Sequence, residues 1–381
     1  MKQKIAILGS TGSIGKTLLK IIKKDKRKFE IKLLSTNKNY KELIKQAKQF
    51  NVKNLIVINK KSFNQLSKLN KKKTFNIYNN FDSYGKIFKG KIDYTMSSII
   101  GLDGLKPTID IIKHTKKIAI ANKESIVCGW NLIEKELRRH NSIFIPVDSE
   151  HFSIWYSLRN NNIENIEKIY LTASGGPFLN KSFKKIKLSD ALNHPSWKMG
   201  KKISIDSATM MNKVFEIIEA KKIFNISYNK LDILTHPNSY VHAIIKFKDG
   251  LSNIILHDTT MEIPIHNTLY SKNQKSFDSK NLDLNILNKL NLKKIDLKTF
   301  PCVKIIKKLP IENSLFETII VSANDKLVDA YLKGKIKFSD IQNKLLKIIN
   351  NKEFKKYKRI QPKKIDNIID LNKYVHLKIN L

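Results

Sequence analysis

The sequence predicts an α/β protein. An N-terminal doubly wound, parallel-sheet (Rossmann-like) domain is followed by a central α+β domain and a small helical C-terminal domain. Three observations carry this. Short apolar runs alternate with amphipathic helical stretches as far as Val147, the pattern of a parallel sheet covered on both faces. A glycine-rich turn follows the first apolar run directly. Beyond Val147 the pattern changes to hairpin-spaced strands, and beyond Pro301 to apolar residues at helical spacing.

Taken in order, Ile5–Leu8 reads as a buried strand, Gly9–Gly15 as the turn and Lys16–Lys24 as a helix. Strands are expected at Glu30–Ser35, Asn54–Ile58, Ile92–Met96, Lys117–Ala121 and Ser142–Val147. Helices are expected at Tyr40–Phe50, Lys106–His114 and Leu132–His140. In the middle of the chain, strands are expected at Lys168–Ala173, Asp232–Leu234, Tyr240–Phe247 and Leu251–Leu256. Lys248-Asp249-Gly250 turns the last pair, and Met211–Phe224 is a helix. Residues 271–298 are rich in Ser, Asn, Lys and Asp and read as a linker. Helices then follow at Ser314–Leu332, Phe338–Ile349 and Ile365–Tyr374. The expected divisions are 1–147, 148–270, the 271–298 linker and 299–381.

Composition narrows the function classes. The chain has 381 residues, 41% hydrophobic, enough for two or three domains at ~100–200 residues each, and too apolar for a disordered chain. Its apolar runs are too short to span a bilayer, which needs ~20 residues. Met1-Lys2-Gln3-Lys4 leads straight into a strand-like run without a signal or transit pattern, so a complete, cytoplasmic chain is expected. Cys128 and Cys302 are too few for a disulfide framework or a structural zinc site and read as small buried hydrophobes. The net charge of +39 comes almost wholly from lysine. Arginine occurs only at positions 27, 138, 139, 159 and 359. Nucleic-acid readers favour arginine's bidentate fork, so the excess reads as a solvated surface, with no nucleic-acid or membrane partner expected.

Six segments carry chemistry. Gly9-Ser10-Thr11-Gly12-Ser13-Ile14-Gly15, between a strand and a helix, lets backbone approach a pyrophosphate at a helix N-terminus and points to a dinucleotide. The second strand ends in Ser35-Thr36-Asn37-Lys38-Asn39, with no acid for a ribose 2′-hydroxyl and a lysine suited to a 2′-phosphate; this favours NADP. Ala121-Asn122-Lys123-Glu124-Ser125 places long polar side chains at the carboxyl end of a strand, where such sheets bind ligands. In Pro146-Val147-Asp148-Ser149-Glu150-His151, a strand would put Asp148 and Glu150 on one face, a hard-oxygen pair suited to Mg²⁺. Ser174, in the turn Ala173-Ser174-Gly175-Gly176-Pro177, offers a hydroxyl and backbone N–H groups to a phosphate. His194-Pro195-Ser196-Trp197-Lys198-Met199-Gly200 reads as a lid. It leads into Asp206–Glu216, where Asn212 and Glu216 share a helix face, Lys213 lies near the helix start and Glu216 offers a third carboxylate.

These segments, in this order, resemble the 1-deoxy-D-xylulose 5-phosphate reductoisomerase family from about residue 3 to about 345. The resemblance implies an NADPH-binding domain, a central catalytic and dimerisation domain, a helical C-terminal domain and a homodimer. It implies Mg²⁺- or Mn²⁺-assisted rearrangement of 1-deoxy-D-xylulose 5-phosphate and reduction by NADPH to 2-C-methyl-D-erythritol 4-phosphate, in non-mevalonate isoprenoid synthesis. It implies metal ligands at Asp148, Glu150 and Glu216, and catalytic roles for Glu150, Lys123 and His194. Substrate contacts are implied at Ser149, Ser174, His194, Trp197, Ser207, Asn212, Lys213 and Glu216. Cofactor contacts are implied at Thr11, Gly12, Ser13, Ile14, Lys38, Asn39, Asn122, Lys123, Glu124, Met199 and Gly200. His236 and His242 match a His-Pro-x-Ser-x-x-His stretch. Departures occur at Asn37, at Thr260-Met261-Glu262 and at Asp325; the last two are expected to bear on dimer or domain contacts. The alternative reading is another NADP-dependent dehydrogenase of a phosphorylated small substrate. That enzyme needs the glycine-rich turn but not the three carboxylates.

Overall fold

A computed structural model describes residues 1–179, 186–197, 199–270 and 275–379. The chain forms two compact units. The first comprises Met1–Ser125, Leu132–Asp148 and Met261–Phe277; the second comprises Ile126–Asn131, Ser149–Thr260 and Asp278–Leu381.

The first unit is built on a seven-stranded sheet among the described residues. Its strands are β1 (Gln3–Leu8), β2 (Phe29–Thr36), β3 (Asn54–Val57), β4 (Asn76–Tyr78), β5 (Tyr94–Ser97), β6 (Lys117–Ile120) and β7 (Ile143–Pro146), in the order β4-β3-β2-β1-β5-β6-β7. Every pairing is parallel. Ile5, Ala6, Ile7 and Leu8 are all fully buried, which explains why this strand is a continuous apolar run rather than an alternating one. The strand order reverses between β1 and β5, so the carboxyl ends of these two strands flank the crevice where doubly wound sheets take ligands. The Ser13–Lys23 helix buries Leu18, Leu19, Ile21 and Ile22 against this sheet. At ~1.5–3 kcal/mol for each buried aliphatic side chain, that face is the main reason the helix holds.

The division expected at residue 270 differs from the one observed. The Glu262–Leu269 helix belongs to the first unit, where Ile265, Leu269 and Tyr270 enter the core. Tyr94 Oη meets Thr268 Oγ1 at 2.9 Å, Tyr270 Oη donates to Asp25 at 3.0 Å, and Glu262 pairs with Lys20. Buried side chains decide the membership of this segment, and hairpin spacing carries no information about them. β4 and the Lys60–Leu69 helix, absent from the sequence reading, complete the unit. β4 is only three residues long and partly exposed, too short to leave a pattern.

The second unit holds a five-stranded sheet of β8 (Ile166–Ala173), β9 (Leu231–Thr235), β10 (Val241–Phe247), β11 (Ser252–Leu256) and β12 (Lys293–Lys294), ordered β11-β10-β8-β9-β12. β8 runs parallel to β9 and antiparallel to β10. One core gathers Ile169, Leu171, Ile217, Ala220, Ile233, Ala243, Ile245, Phe300 and Val303. The helices Phe316–Leu332, Phe338–Asn350 and Ile365–Lys378 fall in this same unit. The expected linker is partly structured. Leu284–Leu287 is helical and β12 pairs with β9 through Lys293 and Thr235, while Ser271–Gln274 of that stretch lie outside the described residues. Cys128 and Cys302 are free and buried; burial raises both thiols, Cys302 to about 12. No helix among the described residues is long and apolar enough to cross a membrane.

One local correction matters for the site. β7 ends at Pro146, and Ser149–Ser157 is a helix. Asp148 and Glu150 therefore do not share a strand face. Glu150 sits in the first turn of a helix, where the positive end of the helix dipole favours a carboxylate. Period-2 reasoning fails here because the strand stops two residues before the acids begin.

Candidate active site

In the first unit the turn after β1 is closed so tightly that two of its positions admit only glycine. Gly9 adopts φ +80°, and a Cβ there would lie 2.8 Å from Ser98 O. A Cβ on Gly15 would lie 2.5 Å from Ser10 Cα. Gly9 N donates to Ser35 Oγ at 2.9 Å and Ser10 N to Ser35 O at 2.9 Å, tying the turn to the end of β2. Thr11 Oγ1 and Thr36 Oγ1 meet at 2.7 Å. Gly12 and Ser13 are exposed, Thr11 and Ile14 partly so. The Ser13–Lys23 helix has neither a side-chain cap nor an acid in its first turn, which leaves its N-terminal dipole end open to an anion. Lys38 is exposed at the end of β2, and Asn39 Oδ1 caps the Tyr40–Phe50 helix by accepting from Glu42 N at 3.2 Å.

Asn122 is more committed than its position in the sequence implies. Its Oδ1 accepts from Ser125 N at 2.7 Å as the N-cap of the Lys123–Arg139 helix; its Nδ2 donates to Gly101 O at 2.8 Å and to Ile99 O. The side chain is engaged at both ends, so it shapes the crevice rim. Lys123 Nζ lies 3.2 Å from Asp148 Oδ2, with side chains 12% and 22% exposed, while Glu124 is buried.

In the second unit, two carboxylates converge on one ammonium. Lys213 Nζ lies 2.5 Å from Glu150 Oε1 and also pairs with Glu216 Oε2; the three side chains are only 6%, 13% and 1% exposed. Asn212 Nδ2 donates to Glu216 Oε1 at 2.5 Å, as their four-residue spacing on the Met211–Phe224 helix predicts. Ser149 Oγ donates to Glu150 Oε2 at 2.5 Å. Met210, in the left-handed conformation (φ 62°), starts this helix abruptly and brings Lys213 into its first turn. Burying such charges costs several kcal/mol each unless they compensate one another; here one ammonium offsets half of the two carboxylates' charge. Lys213, expected at a phosphate, rests here on the two acids.

Around this cluster lies a second set of polar groups. His194 Nδ1 accepts from Ser196 N at 3.2 Å and Trp197 N at 3.0 Å, and Nε2 faces Ser174 Oγ at 2.9 Å. An accepting Nδ1 puts the proton of the neutral ring on Nε2, which then donates to Ser174 Oγ. Burial, then the charge of Lys213, lowers the imidazole pKa to about 4. Ser174 Oγ also accepts from Gly176 N at 3.0 Å. A Cβ on Gly176 (φ +62°) would stand 3.1 Å from Ser207 O, so this glycine lets the turn pack against the Lys201–Ala208 helix that carries Ser207. Trp197 is half-buried, its ring 6.1 Å from that of His242, which stacks on His257 at 3.7 Å. Met199 is partly buried and Gly200 exposed at the helix start, while Lys198 lies outside the described residues.

Further side chains support this arrangement, of which the sequence reading gave no role to His151 and Asn324. His151 is fully buried, its Nε2 2.9 Å from the Glu216 carbonyl, joining the helix of Glu150 to that of Glu216. Asn324 Nδ2 donates to the buried Asp206 at 2.7 Å, and Asp325 pairs with Lys202 at 2.8 Å. The departure at Asp325 thus touches the helix that carries Ser207. His236 is buried, and burial lowers its pKa; its Nδ1 lies 3.4 Å from Asn291 O. A histidine next to Glu150 was the available signal for His151, and the His-Pro-x-Ser-x-x-His stretch the one for His236; Asn324 leaves none.

A family model described as 1-deoxy-D-xylulose 5-phosphate reductoisomerase matches residues 5–129. The model of that enzyme's C-terminal domain matches 144–224, and one described as DXP reductoisomerase C-terminal domain matches 256–376. The chain is 62% identical over 383 residues to the 1-deoxy-D-xylulose 5-phosphate reductoisomerase of Pelagibacter ubique, covering 99% of each. It is 38% identical over 355 residues to that of Clostridium acetobutylicum, covering 92% of each. Among solved structures, the Zymomonas mobilis reductoisomerase in complex with NADPH superposes with a TM-score of 0.87 at 30% identity, covering 99% of this chain and 98% of that one. A DOX-P reductoisomerase in complex with NADPH, fosmidomycin and magnesium gives a TM-score of 0.91 at 30% identity, covering 98% and 97%.

Proposed function

The chain belongs to the 1-deoxy-D-xylulose 5-phosphate reductoisomerase family, and on that premise we propose that it converts 1-deoxy-D-xylulose 5-phosphate to 2-C-methyl-D-erythritol 4-phosphate, using NADPH and a divalent cation. One observation carries the reading at the level of side chains. Glu150 and Glu216 aim their carboxylates at a single cationic atom, in the same unit as the hydroxyl, amide and imidazole groups of Ser174, Asn212 and His194. A dehydrogenase that only moves a hydride needs no such acid pair.

The residues fit both groups. Buried carboxylate oxygens that a single ammonium only half offsets are the hard donors that Mg²⁺ or Mn²⁺ prefers, and Asp148, two residues before Glu150 in the chain, adds a third. The clash a Cβ would meet at Gly9 and Gly15, and the acid-free helix start, suit a pyrophosphate at Thr11, Gly12, Ser13 and Ile14. Lys38 and Asn39, at a β2 end without an acid, suit a 2′-phosphate. Asn122, Lys123, Glu124, Met199 and Gly200 complete the proposed cofactor contacts. When bound, the cation supplies Lewis acidity towards the ketone and its neighbouring hydroxyl, and NADPH supplies the hydride.

The chain's own groups then divide the work. Ser174, Ser207, Asn212 and Lys213 hold the phosphate end of the substrate, contributing orientation and binding energy away from the reacting carbons. Ser149 and Lys123 orient the backbone oxygens, and the Lys123 ammonium near Asp148 offers a proton donor at the crevice. His194, neutral and held by Ser196 and Trp197, presents Nε2–H to an acceptor without bringing a second cation. Trp197 excludes water from the substrate. A homodimer working in the cytoplasm belongs to the same proposal.

The test is turnover of 1-deoxy-D-xylulose 5-phosphate, followed by loss of the reduced-nicotinamide absorbance, with and without Mg²⁺ or Mn²⁺ and with NADH as control. Metal-dependent oxidation of NADPH in preference to NADH is expected. A folded, NADPH-binding protein without turnover on this substrate would overturn the proposal.

A further inference from the structure

We infer that Lys213 links the divalent-cation site to the phosphate site, by exchanging its ammonium between the carboxylates of Glu150 and Glu216 and the phosphate of a bound anion. This deepens the proposed function and rests on its assignment of Glu150 and Glu216 to the metal.

Lys213 Nζ lies 2.5 Å from Glu150 Oε1 and pairs also with Glu216 Oε2, so a single ammonium offsets one of the two negative charges and leaves the pair a net acceptor for further positive charge. A divalent cation taken up by the same two carboxylate oxygens displaces that ammonium, because like charges at such separation repel strongly in a buried setting. The displaced ammonium cannot remain uncompensated. Its side chain is 6% exposed, and a buried cation without a partner is costly. The groups near it direct where it goes. His194 already feels the Lys213 charge, and the imidazole Nε2 lies 2.9 Å from Ser174 Oγ, which in turn accepts from Gly176 N. A phosphate accepting from the Ser174 hydroxyl offers a relocated ammonium an anionic partner.

Two consequences follow by linkage. Without a phosphate ligand, Lys213 competes with the metal and weakens its binding. With a phosphate ligand, the ammonium is drawn away and metal binding strengthens. The same lysine thus opposes the metal in the free enzyme and ceases to oppose it once substrate arrives, which favours assembly of the metal site together with its substrate.

The experiment is titration of the full-length protein with Mn²⁺, read by the electron paramagnetic resonance of free Mn²⁺, with and without inorganic phosphate. Wild type, Lys213→Met and Glu216→Gln are compared, with folding of each checked by circular dichroism. Phosphate is expected to tighten Mn²⁺ binding to wild type by about fivefold or more, the usual lower range of site-to-site coupling. Lys213→Met is expected to bind Mn²⁺ more tightly than wild type in the absence of phosphate and to lose the response to phosphate. If Lys213→Met keeps the wild-type response, phosphate acts on the metal directly and the exchange is refuted. If Lys213→Met binds Mn²⁺ no more tightly than wild type while Glu216→Gln binds it more weakly, the exchange fails and the metal assignment stands. If Glu216→Gln binds Mn²⁺ as wild type does, the metal assignment itself fails, and the inference with it.

Discussion

His194 Nε2 stands 2.9 Å from Ser174 Oγ, and its Nδ1 accepts two backbone N–H groups. This pairing joins the segment after β8 to the loop that carries Trp197, and it works only while the ring is neutral. The pKa of about 4, set by burial first and Lys213 second, lies below the ordinary value, so the folded state favours the neutral form. The stability it reflects is fully present above the unfolded value of ~6.5 and is lost as pH falls from there through about 4. Resonances of His194 in the ligand-free protein are expected to titrate below pH ~5, and to move upward when phosphate neutralises Lys213. A midpoint near ~6.5 without ligand would contradict this arrangement.

Glu150→Gln and Glu216→Gln are each expected to lower turnover by roughly 10²-fold or more, the usual cost of removing a group that supports developing charge. NADPH affinity, measured by fluorescence titration, is expected to change little. Near-normal rates in both variants would remove these residues from the metal site.

The glycine-rich turn separates folding from binding. Gly15→Ala drives a methyl into Ser10 backbone at 2.5 Å and is expected to destabilise the protein by ~1–3 kcal/mol in chemical denaturation. Gly12→Ala meets only Gly9 O, at 3.3 Å, with φ −78°. It is expected to fold almost normally while weakening NADPH, because its methyl occupies the exposed rim. Equal stabilities of the two variants would contradict the reading of the turn.

Asn122→Ala removes the N-cap of the Lys123–Arg139 helix, takes the side-chain donor from the Ile99 carbonyl and leaves the Gly101 carbonyl with the Gly104 N–H. A loss of about 1–3 kcal/mol in stability is expected, with weaker NADPH binding, since the crevice rim loosens. Asn122→Asp preserves the cap acceptor and is expected to recover part of the stability.

The contrast between these residues shows what a sequence can reveal. The parallel strands were legible because Ile5–Leu8 and residues 118–120 are buried on both faces and read as apolar blocks. The Asn212–Glu216 contact was legible because helix periodicity fixes it. Asp148 and Glu150 were read on a strand, since nothing local marks that β7 stops at Pro146. The position of Lys213 between Glu150 and Glu216 was not legible, because it depends on two helices meeting across 63 residues of chain. The same limit hid Asn324 on Asp206, 118 residues apart, and the return of the Glu262–Leu269 helix to the first unit.

The central claim is that this chain rearranges a carbon skeleton as well as moving a hydride. The most direct test is carbon-13 NMR of the product formed from labelled 1-deoxy-D-xylulose 5-phosphate with NADPH and Mg²⁺. The account predicts a branched product, 2-C-methyl-D-erythritol 4-phosphate, with the methyl-bearing carbon bonded to three other carbons. An unbranched alcohol formed by simple reduction of the ketone would contradict it and identify an ordinary NADPH-dependent dehydrogenase of a phosphorylated substrate.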